Sequence, residues 1–196
     1  MSKIFLINTG KTQYLEGSFN WITSGISMFS TCPNLTSFTA DLSSLTNGNS
    51  MFYSCTNLTS FTADLSSLTD GYNMLYGCTN LTTFNADLPS LTRGSNMFNS
   101  CTNLESFSSD LSSLTDAGTG YSSMFGNNTY NCTKLNLASV QNIAETINDL
   151  ASKGTTGTLN IGIAAALQSD DETAPINVAL AAIRAKGWTV TEIYRA

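Results

Sequence analysis

The chain has 196 residues, of which 41% are hydrophobic, so it is long enough to bury a continuous core. Only 11% are charged, the net charge is −6, and the 8 basic residues are scattered, which excludes a nucleic-acid-binding surface because phosphate recognition needs clustered Lys and Arg. There is no histidine, which excludes Ser-His-Asp or Cys-His catalysis and histidine-ligated zinc.

The N-terminal segment predicts a short β-hairpin. Ile4 to Asn8 and Thr12 to Glu16 form its two strands, joined by a turn at Thr9-Gly10, and we expect the hairpin to cover the N-terminal edge of the fold. Its apolar run, Ile4 to Ile7, is shorter than the roughly 7–15 apolar residues of a secretory signal, and no segment has the roughly 20 of a transmembrane helix. We therefore expect no membrane insertion, and a protein that either stays in the cytoplasm or is exported or assembled at the surface by another route.

From Met28 onward the chain repeats itself with a period of 23 residues. Seven positions keep this spacing over four copies. The columns are Met28, Met51, Met74 and Met97; Cys32, Cys55, Cys78 and Cys101; Asn34, Asn57, Asn80 and Asn103; Leu35, Leu58, Leu81 and Leu104; Phe38, Phe61, Phe84 and Phe107; Asp41, Asp64, Asp87 and Asp110; and Leu45, Leu68, Leu91 and Leu114. A fixed period of about 20–29 residues with Leu and Phe at constant offsets is typical of leucine-rich repeats, which stack because one unit cannot bury its own apolar side chains.

Each unit contains the elements of one coil. The alternation in Ser37–Asp41 predicts a short strand with Phe38 and Ala40 inward. Asp41–Leu45 predicts a helical turn capped by the aspartate, and Gly48, like Gly71 and Gly94, marks the turn that follows. The Met-Phe pair of the next unit closes the coil from the convex side. The predicted fold is therefore an α/β solenoid, a right-handed leucine-rich-repeat superhelix with short parallel strands.

At these residues the chain resembles the BspA-like leucine-rich repeat family, whose unit is A-F-x-x-C-x-x-L-x-x-I-x-I-P. Phe52, Cys55, Leu58 and Phe61 occupy the Phe, Cys, Leu and Ile places, whereas Asp64 stands where that family has proline. The Met-Phe pair is also similar to a related bacterial repeat of surface lipoproteins and prophage proteins. The resemblance covers roughly residues 14–137 and implies extracellular or surface-associated binding, with no catalytic residues to carry over.

The repeat changes at both ends. A degenerate repeat precedes the first full unit, because Leu15, Phe19, Ile22 and Gly25 lie one period before Phe38, Leu42, Leu45 and Gly48. Met97 and Met124 are 27 residues apart, and a loop rich in Gly, Tyr and Asn is predicted at 117–131. Beyond it, a helix at 139–150, a strand at 158–163, a helix at 175–186 and a strand at 188–194 predict helix-containing coils that continue the parallel sheet and cap its end. We expect an N-terminal cap and degenerate repeat at 1–27, a solenoid at 28–137 and a C-terminal α/β cap at 138–196.

The cysteine and aspartate columns consist of residues that can bind metals or take part in catalysis. In-register cysteines point in parallel rather than toward each other, and no C-x-x-C pair occurs, so we interpret the cysteine column as buried thiols rather than disulfides or metal ligands. The aspartate column could contact an ion or ligand or supply acid/base groups, but each aspartate precedes a turn whose free N–H groups it can accept, so we interpret the column as structural. The asparagine column is expected to bond backbone between coils. We predict no catalytic residue, no metal and no cofactor.

The candidate binding residues are the outward-facing side chains of the repeat strands, because the concave sheet of a solenoid is its usual binding face. We call this set the strand strip: Ser37, Thr39, Ser60, Thr62, Thr83, Asn85, Ser106 and Ser108. The strip is neutral and hydroxyl-rich, and it is also compatible with a solvated face that binds nothing. A second candidate is the aromatic loop with Tyr121, Phe125 and Tyr130. Regular threonine columns also suggest an ice-binding surface, but a T-x-T pattern is not kept.

The leading hypothesis is therefore a non-enzymatic module that binds a protein or a glycan through the strand strip, associated with a bacterial surface or a prophage. The alternative is a structural spacer in a surface fibre or phage-tail assembly with no ligand of its own. An enzyme is disfavoured because histidine-free repeats of Ser and Thr offer no convergent titratable groups.

Overall fold

The computed structural model describes residues 14–117, 124–126, 135–153 and 157–195. The predicted N-terminal hairpin lies outside these residues except for the end of its second strand. The elements in chain order are β1 (Tyr14–Ser18), β2 (Ser37–Asp41), β3 (Ser60–Phe61), β4 (Thr83–Phe84), β5 (Ser106–Phe107), α1 (Leu137–Thr146), β6 (Gly157–Ala164), α2 (Pro175–Ala185) and β7 (Trp188–Arg195). Two short 3-10 turns, Ala151–Lys153 and Ala165–Leu167, flank β6.

The repeat strands are parallel and stack one period apart. β1 pairs with β2 and β2 with β3, with Ser37 opposite Ser60, and β4 pairs with β5, with Thr83 opposite Ser106. Each partner is thus the equivalent residue of the next 23-residue unit, so the chain advances by one strand width per repeat. The short parallel strands are confirmed, while the right-handed superhelix and the terminal caps stay predictions.

A threonine column joins the coils on a second side. Thr46 donates both its backbone N–H and its Oγ1–H to the C=O of Thr23, each at 2.9 Å. The same pair of bonds recurs one period later each time, at Thr69, Thr92 and Thr115. In the sequence, each of these threonines directly follows the last leucine of its repeat unit, but its role in linking coils was not predicted.

The Met-Phe segment joins the coils on a third side, with donors pointing to the following coil. The N–H of Ser50 donates to Tyr72 C=O at 2.9 Å and the N–H of Phe52 to Met74 C=O at 2.8 Å. The segment folds into successive tight turns, with a positive φ at two places per unit. These places are Ser27, Ser50, Asn73 and Asn96, and Thr31, Ser54, Gly77 and Ser100.

The core is built from stacked rings. Phe38, Phe61, Phe84 and Phe107 follow one another with centroids 5.7–5.8 Å apart and nearly parallel planes. A second column, Phe29, Phe52, Phe98 and Phe125, comes from the Met-Phe pairs and meets the first edge to face, except that Phe29 is tilted against Phe38. The Leu, Met and Cys columns fill the remaining interior, so each unit buries its apolar side chains against its neighbours. The first coil is the exception, since Met28 is 36% exposed there.

One local expectation was wrong, and a second was right for a different physical reason. The segment after each aspartate is one β-turn, closed by Leu45 N–H on Leu42 C=O at 2.8 Å, and it does not continue into a helical turn. Gly48 does mark a turn, since its C=O accepts the Met51 N–H at 3.0 Å, but its φ is not positive. A Cβ there would lie 2.9 Å from Met74 Sδ and 3.1 Å from Leu68 Cδ1, so the glycine is needed for close packing and not for backbone freedom.

The four C-terminal elements occur close to where they were predicted. β6 and β7 pair in parallel, and Leu135 forms a parallel bridge with Ile163. Beside β5, however, lies helix α1, and among the described residues no strand pairs with that side of β5. The Asn136 N–H donates to Glu105 C=O at 3.0 Å, so the chain before α1 still stacks on the last repeat, and the continuation of the sheet into the cap stays a prediction. Helix α1 ends at Thr146, before the predicted end, and the Asn148 N–H donates to Leu111 C=O.

Candidate functional site

The strand strip lies on one face of the repeat strands. Its members alternate with the buried phenylalanine column, so they point away from the core. Six are exposed and two, Ser37 and Ser106, are partly exposed. The structure therefore brings all eight residues onto a common surface, and their role in binding stays a prediction.

Within the strip, the junction between β3 and β4 differs from its neighbours. Between the β2 and β3 units, Thr59 and Ser60 N–H donate to Thr36 C=O, and Thr62 N–H donates to Phe38 C=O at 2.9 Å. The β4–β5 junction has the equivalent bonds, ending with Ser108 N–H on Phe84 C=O at 2.9 Å.

Among the residues that the structure describes, no equivalent bond joins β3 to β4. The N–H groups of Thr82, Thr83 and Asn85 and the C=O groups of Thr59 and Phe61 therefore have no backbone partner across this junction. The phenylalanine rings beneath remain stacked, with Phe61 and Phe84 centroids 5.8 Å apart. The core is thus continuous while the surface ladder is open.

A cavity of about 240 Å³ occupies this opening. We call it the β3–β4 cleft, and its lining is Thr59, Ser60, Phe61, Thr62, Thr82, Thr83 and Asn85. Four strand-strip residues are among them, and Phe61 is only 4% exposed, so the accessible lining consists of Ser and Thr side chains with their hydroxyl and methyl groups, one carboxamide and backbone. The cleft can both donate and accept hydrogen bonds, and none of its lining side chains is charged.

The aromatic loop is not supported as a second site by the part of it that the structure describes. Phe125 is fully buried and packs against Phe98 and Phe107 at centroid distances of 5.5 and 5.0 Å. It continues the interior column after the longer 27-residue spacing, with Met124 beside Gly94 as Met97 is beside Gly71. Its ring is therefore not available to a ligand. Tyr121 and Tyr130 lie outside the described residues.

The cysteine column, Cys32, Cys55, Cys78 and Cys101, forms no disulfide, and all of its members are buried except Cys32, which is partly exposed. The Cys55 thiol donates to Phe29 C=O and the Cys101 thiol to Leu75 C=O, both at 3.1 Å. Burial raises the pKa of Cys55 to about 12 and that of Cys78 well above its usual range. These thiols are core groups that also tie consecutive coils together.

We expect iodoacetamide at pH 8 to modify Cys32 at least about tenfold faster than Cys55 or Cys78 in the folded protein, because only the thiolate reacts and Cys32 is partly exposed. Peptide mass spectrometry after timed quenching measures the three rates. The denatured chain is the control and should show similar rates at all three. Equal rates in the folded protein would contradict burial of the column.

Because the pKa values of the Cys55 and Cys78 thiols are raised in the folded protein, these thiols also contribute stability that is present below about pH 8.5 and lost as the pH rises further.

The aspartate column serves the turns that follow it. Asp41, Asp64 and Asp110 each accept the N–H of the residue two positions on, at 2.8–2.9 Å. Hydrogen bonds from the hydroxyl and the N–H of Ser43 hold the pKa of Asp41 below its usual value. Asp87 is the exception, because residue 89 is proline and has no N–H to donate.

This difference predicts unequal effects of alanine within one column. Asp110→Ala should lower the free energy of unfolding by about 0.5–1 kcal/mol, because the Ser112 N–H loses its partner. Asp87→Ala, the matched control, should change it by less than about 0.5 kcal/mol. Urea denaturation measures both. A loss at Asp87 as large as at Asp110 would show that the column acts through something other than these bonds.

The asparagine column bridges coils as expected. Asn57 and Asn103 donate their Nδ2–H groups to Pro33 and Thr79 C=O, at 2.6 and 2.8 Å, in the preceding coil. Asn80 donates instead to the Oδ1 of Asn57, at 3.3 Å.

A charged column was missed. Arg93 lies one period after Asp70 and one before Asp116, with its guanidinium nitrogens 3.2 and 3.7 Å from their carboxylates. Its guanidinium carbon also lies 4.3 Å from the ring centroid of Tyr72. The signal was present, because Arg93 is the only basic residue between Lys11 and Lys134 and the 23-residue period places it between two aspartates. These contacts link three coils, and they lie away from the strand strip.

No three His, Cys, Asp or Glu side chains within the described ranges meet in a way that could hold a metal ion. None of the helices described is both long and apolar enough to span a membrane.

The parallel stacking, the constant period and the buried leucine and phenylalanine columns define a leucine-rich repeat protein with a polar strip on its strands. The BspA type leucine-rich repeat region matches residues 22–151 of the chain in 6 copies, and the chain belongs to this family. The match begins in the degenerate repeat and ends beyond Leu135, so it includes units outside the four complete copies. Comparison with curated proteins and with solved structures gave no match.

Proposed function

We propose that this protein is a non-enzymatic binding module that takes a protein or glycan ligand through the strand strip. The observation that carries the proposal is the β3–β4 cleft, which lies near the middle of the strip and presents unpaired backbone groups beside four strip side chains. Most of these groups belong to exposed residues, where water can satisfy them, and a polar ligand could take the place of that water.

The chemistry of the strip supports binding rather than catalysis. Its side chains are hydroxyls and one carboxamide, which neither titrate near neutral pH nor act as strong nucleophiles without an adjacent base. The sequence has no histidine to supply that base. A surface of this kind can recognise a ligand by hydrogen bonding without transforming it.

An association with a bacterial surface or a prophage is part of the proposal and is supported by the resemblance of the Met-Phe repeat to such proteins. Eight outward residues at constant spacing suit a ligand that is itself extended or repetitive, since equivalent groups recur one strand apart.

The proposal is tested by binding of the purified protein to an array of glycans and host-matrix proteins. Thr39, Thr62 and Asn85 are replaced together by Glu, which adds three like charges to the strip. The matched control replaces Thr56, Ser66 and Thr102 by Glu, which adds the same charge at exposed positions away from the strip.

We expect binding to one class of ligand that the strip variant loses and the control variant keeps. Binding that both variants keep would move the site away from the strip and overturn the proposal. No binding by the unchanged protein would also overturn it, and a structural spacer within a larger assembly would then be the better account.

A further inference from the structure

We propose that the ligand of the β3–β4 cleft is a neutral glycan, bound as a single sugar unit within the cleft. The inference deepens the proposed function and rests on it. It follows from the groups that line the opening, from the groups that are missing there, and from its size.

The lining offers donors and acceptors side by side. Thr82, Thr83 and Asn85 present free N–H groups, and Thr59 and Phe61 present free C=O groups on the opposite side. The hydroxyls of Ser60 and Thr62 can act in either direction. A sugar hydroxyl also donates and accepts at one oxygen, so a ring with several hydroxyls can satisfy such a mixed set, whereas a carboxylate or ammonium group satisfies only half of it.

The anchors that protein partners use are missing from the strip. Energetically dominant interface residues are mostly Trp, Tyr and Arg that fill desolvated pockets, with apolar side chains around them. The strand strip has only Ser, Thr and Asn, and the nearest aromatic side chain, Phe61, is buried in the core. This composition favours a ligand recognised by hydrogen bonding alone over a protein surface.

The charge and the size of the cleft restrict the class of possible ligands further. No Lys, Arg, Asp or Glu lines the cleft, and the chain carries a net charge of −6, so a sulfated or sialylated glycan would meet no compensating cation. The volume of about 240 Å³ is below the roughly 300–1,000 Å³ of pockets that enclose drug-sized ligands. The cleft therefore holds one ring of a longer chain, and the neighbouring units lie along the strip.

The test uses the full chain on an array of neutral oligosaccharides of hexose and N-acetylhexosamine units, with sialylated and sulfated glycans and host-matrix proteins beside them. Thr83→Val with Asn85→Leu removes two polar groups from one wall at nearly constant shape. Ser60→Ala with Thr62→Val does the same from the other wall. Thr39→Val with Ser108→Ala is the matched control, since it removes two polar groups from strip positions outside the cleft. Melting temperatures verify that all variants fold.

We expect binding to neutral glycans that each cleft variant weakens at least about tenfold and the control weakens less than about threefold, as the loss of two hydrogen bonds implies. The affinity should be insensitive to sodium chloride, because no charge pair contributes.

Protein binding that the strip Glu variant abolishes, without glycan binding, would overturn the glycan assignment and leave the proposed function standing. Binding only to acidic glycans, or equal losses in the cleft and control variants, would overturn the assignment as well. No binding to any ligand would overturn both.

Discussion

Phe84→Ala is expected to lower the free energy of unfolding by about 3–5 kcal/mol, which is the largest effect we predict for a single substitution in this chain. Phe84 is fully buried and its ring touches three others: Phe61 and Phe107, stacked at 5.8 Å, and Phe98, edge to face at 4.7 Å. Alanine would remove all three ring contacts and leave a cavity that the surrounding rings, held by their own coils, can fill only partly.

The position of Phe84 makes the effect spread along the chain. In a repeat protein, stability is approximately the sum of unit stabilities and nearest-neighbour interfaces, and this ring contributes to the interfaces on both sides of its unit. Urea denaturation followed by circular dichroism measures the loss. Asn85→Ser, one residue away and exposed, is the control and should stay within about 0.5 kcal/mol of the unchanged protein. A loss below about 1 kcal/mol for Phe84→Ala would contradict the stacked interior.

The periodic part of the fold was predictable because a period maps directly onto stacking. Once Phe38 and Phe61 are 23 residues apart in equivalent units, their pairing in parallel strands follows, and the structure has them in that register. The outward placement of Thr39 and Thr62 follows in turn from strand alternation. Burial of the Leu, Met and Cys columns needed no further information, since each is an apolar residue at a fixed inward offset.

The features that could not be predicted have a common physical origin, because they depend on contacts between units rather than on propensity within one. The turn at Gly48 was predicted from its residue type, whereas the need for glycine there comes from the close approach of Met74 of the next coil. The positive φ of Ser50 and Ser54 is imposed by bonds to the following coil, and serine gives no sign of it. Phe125 was assigned to a loop because the longer spacing before it concealed its equivalence to Phe98.

The β3–β4 cleft could not be predicted from the sequence for another reason. Thr36–Thr39 and Thr59–Thr62 have the same four residues, and the third copy, Thr82–Asn85, differs from them at only two exposed positions. Nothing in that substitution pattern predicts that backbone bonds will be lost at one junction and kept at the next. The strip could be predicted, but the place on it where a ligand fits could not.

Ser139→Ala is the second substitution with a large expected effect, because its hydroxyl serves the exposed edge of the last repeat strand. Ser139, 1% exposed, lies in α1, and its Oγ accepts the N–H of Phe107 at 2.9 Å. Neighbouring polar groups of the same segment act alike: Asn142 Oδ1 accepts Ser109 N–H at 3.0 Å, and Thr146 Oγ1 donates to Ser109 C=O at 3.0 Å. The helix thus replaces the backbone partner that another strand would supply.

Removing that hydroxyl leaves a buried N–H without a partner, which costs about 1–3 kcal/mol. The global loss is measured by urea denaturation. The local signature is hydrogen exchange, in which the Phe107 amide proton should exchange about tenfold faster or more, since 1.4 kcal/mol corresponds to a factor of ten. Ser152→Ala, at an exposed serine of the C-terminal part, should change neither quantity appreciably. An unchanged exchange rate at Phe107 would mean that α1 does not protect the strand edge, and the end of the repeat sheet would then have to be satisfied by water.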